Sequence, residues 1–86
     1  MTYRLTPKMA ALASHIKGDS FEDARAALKT DIEKREFDKL TAKAVAKIAK
    51  ALPNSQPQTQ YRQALNYAKA KMALFQLKFG FVRKRK

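Results

Sequence analysis

The residues best suited to binding chemistry are four lysines that recur at helical spacing in the middle of the sequence. Lys39, Lys43, Lys47 and Lys50 stand at positions i, i+4, i+8 and i+11. On a helix they fall within about 80° of one another and form one ridge of ammonium groups. Lysine is a flexible point charge that attracts phosphate without reading base edges. The alternative is the solvated side of an amphipathic helix, although such a side usually mixes acids with lysines.

A second set of cations surrounds the most apolar stretch of the sequence, residues 59–79. One apolar stripe, about 80° wide on a helix, contains Tyr61, Leu65, Ala68, Met72, Phe75 and Phe79. A second apolar side contains Tyr67, Ala70, Leu74 and Leu77. Because a helix that is apolar on two sides needs neighbours on two sides, this pattern predicts the central helix of a bundle. Its charges are all positive, with one flank carrying Arg62 and Lys69 and the other Lys71 and Lys78.

Two further features are candidates for binding. Tyr67 lies off the main stripe, beside the Lys71 and Lys78 flank, where its ring could contact a base or a partner. The other aromatic residues of the stripe are predicted to be core. The sequence ends in four consecutive cations, Arg83, Lys84, Arg85 and Lys86. Such a tail is typical of an arm that follows a phosphate backbone, and in a eukaryotic protein it could also serve as a nuclear address.

The distribution of charge favours an anionic partner. The net charge is +12, and all seven acids lie between positions 19 and 38. Residues 39–86 carry twelve lysines and arginines and no acid. Excess charge of one sign repels itself in the folded state, so it usually has a counterpart on another molecule. Solubility is the plain alternative, but solubility alone does not require every acid to be missing.

The same composition argues against an enzyme and against a metal or cofactor. There is no cysteine, and His15 has no second histidine with which to form a ligand set. The acids lie in a charge-balanced region without a pair of carboxylates in an apolar setting. Two glycines cannot build a glycine-rich phosphate loop.

Helical elements must position these residues. We predict an all-α, single-domain bundle of three to four helices over about 7–17, 20–37, 39–52 and 57–79. The domain spans residues 1–82, and residues 83–86 form the basic tail.

Local signals mark the predicted helix boundaries. Thr6-Pro7 and Ser20 start helices, and Gly18 and Pro53 end them. The short turn after Pro53 predicts antiparallel packing of the last two helices. The predicted buried stripes are Phe21, Ala24, Leu28 and Ile32, followed by Ala44, Val45, Ile48 and Leu52. The pattern loses phase between 37 and 41, so a break or a bend there is left open.

These observations predict a non-enzymatic nucleic-acid-binding protein that contacts the phosphate backbone with weak sequence specificity. DNA or RNA, single or double strand, and monomer or dimer all remain open. The alternative is a small inhibitor or adaptor of the phage or mobile-element type, which would bind an acidic or nucleic-acid-binding surface of a larger machine. Binding to an anionic membrane is the least favoured partner class. The sequence shows neither a signal-peptide core nor a long apolar run, so we expect a cytoplasmic protein, in the host cytoplasm if it is viral.

Overall fold

The computed structural model describes residues 6–79, and this part of the chain folds into four helices. They are α1 (Pro7–Ala13), α2 (Phe21–Ala26), α3 (Asp31–Ala51) and α4 (Pro57–Phe79). The long helices α3 and α4 pack against each other, while α1 packs on α4 and α2 packs on α3. The all-α bundle predicted from the sequence is confirmed.

Helix α1 begins where the sequence predicts and ends earlier. The Thr6 hydroxyl accepts a hydrogen bond from the Met9 N–H at 3.2 Å, and Pro7 occupies the first turn. Regular helix stops at Ala13 rather than at 17. The chain continues as tight turns, in which the Ile16 N–H donates to the Ala13 carbonyl at 3.1 Å.

Gly18, predicted to end the first helix, instead lies in the turn between α1 and α2, after α1 has already ended at Ala13. Its φ is +128°, a conformation that residues with a side chain rarely adopt. A Cβ atom here would lie 2.5 Å from the backbone nitrogen of Ala24. The close approach of this turn to α2 therefore requires glycine. Helix α2 then starts at the predicted cap, because the Ser20 hydroxyl accepts a hydrogen bond from the Asp23 N–H at 3.1 Å.

The predicted boundary between the second and third helices is wrong. Helix α2 ends at Ala26, and α3 runs without interruption from Asp31 to Ala51, through the region that loses phase in the sequence. The cause is a capping box at Thr30. Its hydroxyl accepts from the Glu33 N–H, and the Glu33 carboxylate accepts from the Thr30 N–H, both at 3.1 Å. This reciprocal pair satisfies the first free donors of a new helix.

Because α3 starts at Asp31, the residues that it buries differ from those predicted from the sequence. Phe37 and Ile48 are almost completely buried and form the centre of the core with Met72 of α4. Ile32, predicted to be core, is instead 60% exposed, and Val45 is 49% exposed. Both lie off the stripe that faces α4, since that stripe is centred on Phe37 and Ile48.

Hydrogen bonds at both ends fix α3 and α4 as the predicted antiparallel pair. Near the connecting turn, the Gln60 side chain donates to the Leu52 carbonyl at 2.6 Å. At the other end, the Gln76 amide donates to the Glu33 carboxylate at 2.9 Å.

The apolar pattern predicted for α4 is only partly buried. Leu65, Ala68, Met72 and Ala70 are buried, and Phe75 is half-buried. Tyr61 is exposed, although its hydroxyl accepts a hydrogen bond from the Phe21 N–H at 3.0 Å. On the second predicted side Leu74 is 38% and Leu77 46% exposed. The side chain of Phe79 lies outside the described residues.

Candidate basic binding surface

Two helices contribute lysines to one aromatic ring. The Nζ of Lys47, on α3, lies 5.7 Å from the centroid of the Tyr67 ring, and the Nζ of Lys71, on α4, lies 5.5 Å from it. The sequence places Tyr67 beside Lys71 on the same helix, but only the packing of α3 on α4 brings Lys47 to the same point. This cluster is the centre of the candidate site.

Helical spacing extends the cluster along both helices. On α3, Lys43 and Lys50 stand one turn before and one turn after Lys47, and on α4 Lys78 stands two turns after Lys71. The two rows meet at Tyr67, where α3 and α4 pack against each other. We call this surface the lysine face and define it as Tyr67, Lys43, Lys47, Lys50, Lys71 and Lys78.

No described acid neutralises the lysine face. Within residues 6–79, the ion pairs of 4.0 Å or less join Arg25 to Asp38 at 2.9 Å and Lys39 to Glu36 at 4.0 Å. Lys39 was predicted as part of the same ridge, and it is the ridge lysine that has an acidic neighbour. The remaining lysines present their charge to solvent, where it is available to an anionic ligand.

The other flank of α4 belongs to a different surface. Lys69 is half-buried, and its Nζ donates a hydrogen bond to the Gly18 carbonyl at 2.7 Å. Arg62 is exposed and shares with Lys69 a groove of about 780 Å³, whose lining includes Asp19. The single basic surface predicted from both flanks of α4 is thus divided in two. The bond from Lys69 stabilises the turn after α1, a role that sequence spacing alone does not reveal.

The tail residues Arg83, Lys84, Arg85 and Lys86 lie outside the described part of the chain. Their predicted role as a phosphate-binding arm stays a prediction.

Leu74 is an exposed apolar residue beside the lysine face. It stands seven residues after Tyr67 and three after Lys71, so it shares their side of α4. Its exposure, and that of Leu77 nearby, gives this end of the lysine face an apolar component next to Lys78.

Glu33 is the one buried charged side chain among the described residues, with 5% of its surface exposed. Burial alone would raise the pKa of Glu33. Hydrogen bonds donated by the Thr30 N–H, the Gln76 amide, the Thr30 hydroxyl and the Lys29 N–H outweigh burial and hold this pKa below its ordinary value. All its partners are elements of the fold, so we assign Glu33 to stability rather than to chemistry.

The described residues contain no cluster of three or more histidine and acidic side chains that could hold a metal ion. His15 is exposed on the turn after α1. In the same part of the chain, no helix combines the length and the apolar character that crossing a membrane requires.

No known protein family, curated protein or solved structure matches this chain.

Proposed function

We propose that the protein is a non-enzymatic nucleic-acid-binding protein and that the lysine face is its binding surface. The observation that carries the proposal is the convergence of Lys47 and Lys71, from two helices, on the ring of Tyr67, with no described acid within 4.0 Å of either ammonium group. Within the proposal, the protein acts in the cytoplasm, which is that of the host if the protein is viral.

Phosphate backbones are the anions that best fit this surface. Lys43 and Lys50 are about 10 Å apart along α3, and Lys71 and Lys78 are about 10 Å apart along α4. Packed helix axes lie about 8–10 Å from each other. The surface therefore offers an array of separated positive charges rather than one deep anion site, and an array suits a polymer of phosphates. Such binding depends on release of counterions and weakens steeply with salt.

The test is fluorescence anisotropy with labelled duplex DNA, single-stranded DNA and structured RNA, each at low and near-physiological salt. We expect salt-dependent binding of at least one of them. Replacing Lys43, Lys47 and Lys71 together by Glu should weaken it by more than about tenfold, since three phosphate contacts are lost and repulsion is added.

A matched control keeps the formal charge of that variant and moves the substitutions elsewhere. Lys8, Lys17 and Lys29 are exposed and lie outside α3 and α4. Replacing these three by Glu should change affinity by less than about threefold. Equal losses in both variants would show that net charge, rather than the lysine face, drives binding. Unchanged affinity in the lysine-face variant would contradict the proposal directly.

The exposed leucines support a second candidate function, that of an inhibitor or adaptor that binds an acidic protein surface. Leu74 and Leu77 lie on the same helix as Lys71 and Lys78, and an apolar centre with a charged rim is the usual composition of a protein interface. This function predicts a stoichiometric protein complex that survives nuclease treatment. It also predicts that Leu74→Ser disrupts the complex while leaving nucleic-acid binding unchanged.

A further inference from the structure

We propose that the amino-terminal half of α4 carries a base-reading face, which enters the major groove of duplex DNA and gives the protein a sequence preference. This inference rests on the proposed function and specifies its ligand as duplex DNA. The base-reading face consists of the polar side chains on the side of α4 turned away from its buried stripe: Gln58, Thr59, Arg62, Gln63 and Asn66.

The base-reading face is the open half of one side of α4. Its residues fall within about 140° on the helix and span about 12 Å along the helix axis. Three of them are exposed, and Gln63 and Asn66 are half-buried. Further along the same side, Ala70 and Ala73 are buried, and α1 packs on α4. This side of the helix is therefore small and apolar where it is covered and polar where it is open.

The side chains of this face are of the types that read base edges. Arginine donates two hydrogen bonds to guanine, and asparagine or glutamine forms two with adenine. The other amides of α4 are used within the fold, since Gln60 donates to a backbone carbonyl and Gln76 to a buried carboxylate. Within residues 6–79, no hydrogen bond engages the side chain of Gln63 or Asn66. These two amides are therefore available to a ligand.

The base-reading face is not suited to attracting phosphate. Its one charged residue is Arg62, which is also the one charged residue among the first twelve of α4. Attraction to phosphate depends on charge, whereas hydrogen bonding to base edges does not. The lysine face and the base-reading face thus have different tasks, the first in affinity and the second in sequence preference.

The size of the face and the charges beside it suit a major groove. That groove is about 12 Å wide and admits an α-helix, and 12 Å of helix spans about three to four base pairs. Lys71 lies about 80° around the helix from Gln63, so the lysine face adjoins the base-reading face on this side. Asp19 lines the groove of Arg62 at the opposite side. Contact with the phosphates at the edge of the major groove is therefore made through the lysine face.

Duplex DNA fits this arrangement better than other nucleic acids do. The major groove of duplex RNA is deep and narrow, and side chains cannot read it. A single strand offers phosphates to the lysine face but has no groove to receive α4. Since phosphate contacts carry no sequence information, a preference among DNA duplexes comes from the base-reading face.

The experiment selects ligands from a library of DNA duplexes with a random central segment, and anisotropy then compares the enriched duplex with a scrambled version. We expect an enriched motif of about three to four base pairs, bound more than about tenfold tighter than the scrambled duplex. Replacing Gln63 and Asn66 together by Ala changes no charge. This variant should lose at least about fivefold on the enriched duplex and less than about twofold on the scrambled one.

Two controls separate base reading from other effects. Asn54→Ala removes an exposed amide from the turn before α4 and should keep the preference. Replacing Lys47 and Lys71 by Gln should weaken binding to both duplexes to the same extent. Helical circular dichroism checks that each variant is folded.

A second measurement needs no variant. Methylation of guanine N7 within the enriched motif should block binding of wild type, because N7 faces the major groove. Three results would overturn the inference: no enriched motif, equal affinity of wild type and the double alanine variant for the enriched duplex, or methylation without effect. Those results leave the proposed function intact, which fails only if no nucleic acid shows salt-dependent binding.

Discussion

Glu33 offers the sharpest test of how this small bundle is held together. Its carboxylate accepts hydrogen bonds from the Lys29 N–H at 3.3 Å, from the N–H and hydroxyl of Thr30 at 3.1 Å each, and from the Gln76 amide at 2.9 Å. Three of these bonds start α3, and the fourth ties the far end of α4 to that start. One side chain therefore supports both the cap of α3 and the packing of α3 on α4.

The structure sets the size of the effect. Glu33→Ala removes the acceptor for the Gln76 amide and for the donors of Lys29 and Thr30. A hydrogen bond to a charged group contributes about 1.5–3 kcal/mol, and the exposed donors recover part of this from water, so we expect a loss of about 2–4 kcal/mol. For a domain of this size that corresponds to a fall in Tm of roughly 10–25 °C. Glu33→Gln keeps the shape and one acceptor, and should cost about 1 kcal/mol.

The dependence on pH follows from the lowered pKa of Glu33. The folded state favours the ionised carboxylate, so its contribution is complete above the ordinary pKa of 4.5 and is lost as pH falls through the lower folded-state value. Chemical denaturation between pH 3 and 7 should therefore show a steeper acid loss in wild type than in Glu33→Gln. Glu22→Gln, which removes an exposed carboxylate from the first turn of α2, controls for the change in net charge. Identical acid limbs for wild type and Glu33→Gln, or a loss below about 0.5 kcal/mol in Glu33→Ala, would refute this reasoning.

Three further outcomes are expected. Gly18→Ala should lower the free energy of unfolding by more than about 2 kcal/mol, because the new Cβ meets the backbone of Ala24 and the backbone conformation is strained; denaturant titration measures it. Lys69→Met should cost about 1–2 kcal/mol through the lost bond to Gly18, with unchanged nucleic-acid affinity by anisotropy. If the lysine face makes five phosphate contacts, log affinity against log salt should have a slope of about −3.5 for single strands, and replacing Lys47 and Lys71 by Gln should reduce its magnitude by about 1.4.

The helix starts that the sequence predicts correctly have strong local signals, because Thr6-Pro7 and Ser20 cap their helices. Gly18 adopts a conformation that only glycine enters easily, but it lies beyond the end of α1 and does not terminate that helix. The apolar pattern does not reveal the boundary at Thr30, although the capping box is visible as a threonine followed three residues later by a glutamate. Because there is no glycine or proline between 19 and 52, the apolar pattern alone predicts a helix across this point.

The missed boundary explains the wrong core assignments. Ile32 continues the apolar spacing of Phe21, Ala24 and Leu28, so a single long helix would bury it. In the structure Ile32 lies in the first turn of α3, and the burial of Phe37 fixes the rotation of that helix. Periodicity identifies an apolar face only within one continuous helix, and it carries no information across a break.

The sequence predicts which residues of each helix belong to the candidate site, but it does not predict how the residues of α3 and α4 come together. Helical spacing placed Tyr67 beside Lys71, and it placed Lys43, Lys47 and Lys50 on one ridge. The meeting of the two groups depends on the register between α3 and α4, which hydrogen bonds distant in sequence help to fix. The same limit applies to Lys69, whose partner Gly18 is 51 positions away in the sequence.

Three of the acids have structural roles in α2 and α3, and none of them pairs with a lysine of the lysine face. Asp23 and Glu33 occupy first turns of helices, where negative charge is favoured, and Asp38 pairs with Arg25. Among the described residues, no ion pair within 4.0 Å joins an acid to a cation of α4. If the lysine face binds an anionic ligand, as proposed, that ligand would offset part of the repulsion among these cations. Binding should therefore raise the Tm of the protein, and raise it most at low salt, where both the repulsion and the affinity are largest.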